Sequence, residues 1–94
     1  TVERIISEVG RTYGVTSSDI RSSKRSSQIS NARQIAMYVI RDITQMSMAS
    51  IGEEFGGRDH STVVYAINQV TKNIAQDAKY KETIEDIIKN IRDN

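Results

Sequence analysis

Two glycines followed by Arg58-Asp59-His60-Ser61-Thr62-Val63 leave the chain little freedom, because they dictate a turn that opens straight into a helix. Glycine takes positive φ without steric cost, so Gly56 and Gly57 can end a preceding helix. Asp59 is a good N-cap. From Val63 the apolar residues Val63, Ala66, Ile67, Val70 and Ile74 recur at helical spacing, which predicts a helix over 59–76. Arg58, Asp59, His60, Ser61 and Thr62 then crowd a first turn whose backbone N–H groups are unpaired and whose dipole end is positive. Such a tip faces anions and carries side chains able to read base edges.

Before the glycines, Ser47 starts a short helix anchored by Met48, Ile51 and Phe55. Gly52 inside it costs roughly 1 kcal/mol of helix propensity against Ala, which makes sense if another helix crosses closely. Short helix, glycine turn and second helix form the helix-turn-helix layout, whose second helix enters the major groove.

The rest of the chain supplies the support. Thr1 caps a first helix carrying Val2, Ile5, Ile6, Val9 and Tyr13 on one face, with Gly14 as its stop. Thr16 to Asp19 has capping-box form and opens one or two turns through Ile20. Residues 21–30 are polar with little periodicity and read as a basic loop. Ser30 or Asn31 caps the next helix, where Ala32, Ile35, Ala36, Val39, Ile40 and Ile43 form the cleanest amphipathic stripe and predict the central core helix. Arg33, Gln34 and Arg41 lie off that stripe and are expected to be exposed. Asp77 caps a last helix with Tyr80, Ile84, Ile87, Ile88 and Ile91 on its apolar face. The expected architecture is all-α: about six helices with a helix-turn-helix and no sheet.

Charge matters here by position rather than by sum. The net charge is +1, yet Arg21 to Arg41 holds Arg21, Lys24, Arg25, Arg33 and Arg41 and no acidic residue. A basic stretch attracts a polyanion whatever the total. The loop can track or enter a nucleic-acid groove, or serve only as a solvated linker.

Ninety-four residues make one domain, and a chain opening at Thr1 is expected to be a fragment of a longer protein. No Cys is present, which favours a reducing compartment, and no apolar run approaches the roughly 20 residues of a membrane span. Catalysis is not expected. Asp59, His60 and Ser61 are consecutive and cannot converge as a nucleophile, base and orienting group. One His with scattered carboxylates does not make a metal site.

The stretch from Gly56 to Val63 resembles the signature of the DnaA family of bacterial chromosomal replication initiators. Ser22-Ser23-Lys24-Arg25 matches that family's basic loop, Ala32 to Tyr38 its central helix, and Ser47 to Phe55 the first helix of its helix-turn-helix. The resemblance implies the family's C-terminal DNA-binding domain, domain IV, with a Trp-repressor-like helix-turn-helix that binds DnaA boxes in replication origins. Carried over, it places Asp59, His60, Ser61 and Thr62 on bases in the major groove and Arg25 in the minor groove. It places Arg33, Gln34, Arg41, Ser47 and Arg58 on phosphates.

The chemistry suits those roles. Asp accepts from the cytosine amino group, Ser and Thr carbons pack on a thymine methyl, and an Arg fits a narrow negative minor groove. Ala32 and Ala49 stand where the family often has Pro, at first-turn positions where Pro only pre-sets φ. Ser23, Ser27 and Asn31 replace positive charges, which weakens the phosphate grip.

The resemblance further implies a cytoplasmic, nucleoid-associated protein. It implies ATP on an ATPase domain that this sequence, lacking GxxxxGK[ST], does not contain, and no cofactor in the fragment itself. The domain is expected to be a monomer, with acidic phospholipids as possible ligands of the full-length protein. Two rivals stand beside this reading. A helical protein-interaction module needs neither the basic loop nor the reading turn. A general helix-turn-helix transcription factor binds a palindrome as a dimer rather than one box as a monomer.

Overall fold

In the computed structural model, which describes residues 1–93, the chain forms α1 (Val2–Tyr13), α2 (Ser17–Arg21), α3 (Ser27–Thr44), α4 (Met48–Glu53), α5 (His60–Gln76) and α6 (Ala78–Asp93). No strand occurs among the described residues. The amphipathic stripe of α3 dictates the arrangement. Its Ile35, Ala36, Val39 and Ile40 are buried, and α3 packs against all five other helices. Ile5, Ile6 and Val9 of α1, Ile51 of α4, Val63 and Val70 of α5, and Ile84 and Ile87 of α6 complete the core with Phe55.

Side-chain caps fix where the helices begin. Thr16 Oγ1 accepts from the Asp19 N–H at 3.0 Å. Ser47 Oγ accepts from the Ser50 N–H at 3.1 Å, and Asp77 Oδ1 accepts from the N–H groups of Lys79 and Tyr80. Thr1 differs from expectation. Its side chain makes no cap bond, and only its carbonyl joins the helix by accepting from Ile5 N–H.

The basic loop is shorter than the sequence predicts. α3 begins at Ser27 under a Ser26 cap, not at Ser30 or Asn31, because Ser26 Oγ accepts from Ile29 N–H. Gln28 Nε2 also donates to Tyr13 O at 2.8 Å, docking this polar first turn on the end of α1. Arg21 in turn closes α2. The irregular segment is therefore Ser22 to Ser26.

The reading turn forms as the glycines demand. Gly56 and Gly57 both have φ of +78°. The close approach at Gly52 comes from this turn's backbone, not from a crossing helix: Gly52 O accepts from the N–H groups of Phe55 and Arg58. A Cβ at Gly52 would sit 2.0 Å from Arg58 O.

Candidate nucleic-acid interface

The tip of α5 is built around one carboxylate oxygen. Asp59 Oδ1 accepts from the Thr62 N–H, the Thr62 hydroxyl and the Ser61 hydroxyl, each at 2.9 Å. Among the described residues nothing donates to Asp59 Oδ2. The backbone bond from Thr62, then the two hydroxyl bonds, hold this carboxyl below its ordinary value. A depressed carboxyl pKa means that the charged cap contributes above the ordinary carboxylate range and is lost as pH falls through the lowered value. At neutral pH the tip therefore presents an ionised Oδ2, the exposed ring of His60, and the carbon atoms of Ser61 and Thr62.

Arg33 departs most from expectation. The sequence places it off the apolar stripe as an exposed residue, but it is only 5% exposed. Its Nε donates to Ile20 O at 2.8 Å and one terminal nitrogen donates to Asp19 O at 3.1 Å. α2 ends without a glycine; the N–H and hydroxyl of Ser22 serve Asp19 O, and Arg33 reaches across from the neighbouring helix to serve Ile20 O as well. Burial first, and then the nearby Arg58 charge, lower the Arg33 pKa. Its other terminal nitrogen has no hydrogen-bond partner among the described residues.

Arg58 ties the turn to the basic loop. One terminal nitrogen donates to Ser22 O at 2.9 Å, while its buried Nε has no partner. Arg33, Gln34, Arg58 and Thr62 meet in one groove with Ser30, Met37, Tyr65 and Ala66. At about 130 Å³ this groove is smaller than the roughly 300 Å³ or more of small-molecule sites, but it admits a single phosphate group. A larger cleft of about 600 Å³, where α6 meets the end of α5, contains none of the sequence-derived site residues.

The other candidates lie around this groove. Arg25 sits exposed on the Ser22–Ser26 segment, with no side-chain hydrogen bond or ion pair among the described residues. Its base is tied down: Ser22 Oγ donates to Asp19 O, and Lys24 Nζ pairs with Asp19 Oδ1 at 2.8 Å. Arg41 and Ser47 lie instead on either side of the α3–α4 junction, where Arg41 donates to Gln45 O and Met46 O and Ser47 caps α4. Arg21 is engaged elsewhere, between Glu3 and Glu54. Thus Arg21 and Lys24 of the basic stretch are neutralised by carboxylates, whereas Arg25, Arg33, Arg41 and Arg58 have no ion-pair partner among the described residues.

Sequence reasoning missed Tyr65, which is 60% exposed beside the groove. Its one signal is position. It lies off the Val63, Ala66, Val70 stripe yet shares a helix face with Ser61 and Thr62.

Comparison with known proteins shows the family and the fold. The family described as "Bacterial dnaA protein helix-turn-helix" matches residues 2–70. The chromosomal replication initiator protein DnaA of Streptococcus agalactiae serotype Ia is 47% identical over 91 residues, covering 97% of this chain and 20% of the relative. The protein of the same name from Streptococcus mutans serotype c is 48% identical over 91 residues, covering 94% of this chain and 20% of the relative. The crystal structure of a DNA replication initiation factor superposes with a TM-score of 0.84 at 34% identity, covering 95% of this chain and 27% of that one. The chain spans about a fifth of the length of these curated relatives.

Proposed function

This chain belongs to the bacterial DnaA family, and we propose that it binds double-stranded DNA at origin boxes during initiation of chromosome replication. α5 enters the major groove by its N-terminal turn, with Asp59, His60, Ser61 and Thr62 against base edges. Arg25 reaches the adjacent minor groove from the Ser22–Ser26 segment. Arg33, Gln34 and Arg58 hold one phosphate, and Arg41 and Ser47 another. The fragment acts as a monomer and without a cofactor. ATP chemistry belongs to the remainder of the full-length initiator, in the cytoplasm at the nucleoid.

One observation carries this reading: two un-neutralised guanidiniums share a phosphate-sized groove beside the tip of α5. Like charges brought together without a carboxylate oppose folding, so their juxtaposition points to an anion supplied from outside. A phosphodiester fits both the charge and the size.

The test is a fluorescence-anisotropy titration with a DnaA-box duplex and a scrambled duplex over a range of salt. Two phosphates held by arginines, with Arg25 in the minor groove, predict log K falling with log[salt] at a slope of about −3. The box should bind more tightly at every salt concentration. Equal affinity for the two duplexes, or a slope near zero, would overturn the proposal.

A second expected result concerns Asp59. Asn caps a helix as well as Asp does. In Asp59→Asn, Oδ1 can keep its three bonds while the atom facing the DNA changes from an acceptor to an amide donor. The melting temperature should stay within a few degrees, while discrimination for the box falls by roughly 1–3 kcal/mol. Full discrimination in this variant would remove Asp59 from the reading surface and leave it as a cap alone.

A further inference from the structure

Among the described residues, Tyr65 is the large apolar side chain left most exposed. α5 buries Val63, Ala66 and Val70 on its inner face, so Tyr65 adds little to the core. It stands three and four residues after Thr62 and Ser61, one turn along the same outer face of the helix. Its ring lines the groove that Arg33, Gln34 and Arg58 share. Among the described residues its hydroxyl has no hydrogen-bond partner, and the two arginines beside it have no carboxylate. An aromatic ring with a polar tip suits a surface that is wet when free and covered when bound.

We propose that Tyr65 is a further DNA contact, whose hydroxyl donates to the backbone phosphate that the Arg33–Arg58 groove receives. This rests on the DNA-binding reading above and adds a neutral donor to a site otherwise made of cations. A phosphate is the expected acceptor rather than a base, because Tyr65 lies a full turn behind the residues at the helix tip. The distinction is measurable. A phosphate contact carries no sequence information, and a neutral donor displaces no counterion.

The experiment compares the unaltered protein with Tyr65→Phe and Tyr65→Ala, each titrated against box and scrambled duplexes at two salt concentrations and melted thermally. Tyr65→Phe removes only the hydroxyl. It should weaken binding about tenfold on both duplexes, the scale of a hydrogen bond to a charged acceptor, with an unchanged salt slope and melting temperature. Tyr65→Ala should lose at least as much. If Tyr65→Phe binds like the unaltered protein, or loses affinity for the box alone, the phosphate contact is wrong while the DNA-binding reading stands. If the unaltered protein binds neither duplex, both fall together.

Discussion

Gly52→Ala is expected to lower stability by about 3 kcal/mol or more, enough to depress the melting temperature by at least about 12 °C in a domain of this size. Helix propensity alone predicts the opposite sign, a gain of roughly 1 kcal/mol from replacing a glycine inside a helix. Sterics win because the added Cβ would lie 2.0 Å from Arg58 O and 3.1 Å from Arg58 C, both backbone atoms. A side chain could rotate away, but this turn cannot, since Gly52 O accepts from the Phe55 and Arg58 N–H groups. The control is Gly57→Ala. Gly57 has φ of +78° and nothing within 4 Å of a Cβ, so it should cost only the left-handed penalty of about 1–2 kcal/mol. Thermal melts of the two variants decide the matter: equal losses would mean that the turn is not seated on Gly52. Displacing that turn also moves Arg58 and Asp59, so Gly52→Ala should bind DNA poorly even when kept cold enough to fold.

Most of the fold was legible because local signals and tertiary packing agree. The stripe from Ala32 to Ile43 is the buried face of α3, and Gly14, Thr16, Ser47, Asp59 and Asp77 bound helices where their chemistry places them. The start of α3 was not legible. Its first turn, Ser27 to Ser30, has no apolar periodicity, and its docking depends on a bond from Gln28 to the end of α1 that lies far away in sequence. Gly52 was half legible. Close packing follows from a glycine inside a helix, but the packing partner is the turn six residues on rather than another helix.

The candidate site divides in the same way. The helix tip could be read directly, since capping and spacing act within one turn. The use of Oδ1 for all three Asp59 bonds, leaving Oδ2 open, depends on side-chain rotamers that no pattern records. Composition treats the cations of residues 21–30 alike, whereas the structure neutralises Arg21 and Lys24 and leaves Arg25 exposed and without an ion-pair partner among the described residues. Tyr65 escaped notice because periodicity arguments look for apolar residues that fall on the stripe, and this one falls off it.

Arg33→Ala is expected to cost about 1–3 kcal/mol of stability, because it strips the side-chain donor from Ile20 O at the end of α2, while Asp19 O keeps the N–H and hydroxyl of Ser22. A guanidinium that merely touched DNA would leave the melting temperature unchanged, whereas this one should shift it by about 5–20 °C. The charge itself argues the other way: Arg33 and Arg58 repel each other, and burial opposes the charged form of Arg33. The buried hydrogen bond should win, since Ile20 O lies where water cannot readily replace the lost donor. Arg33→Lys separates the two roles. It keeps the positive charge at the groove but lacks the forked donors that serve two carbonyls at once. Lysine should therefore recover part of the DNA affinity and of the salt slope while recovering little of the thermal stability. Arg33→Ala should flatten the slope by about one unit on box and scrambled duplexes alike. A variant that melts like the unaltered protein would show that α2 closes without Arg33. One that keeps the full slope would show that its free terminal nitrogen never meets a phosphate.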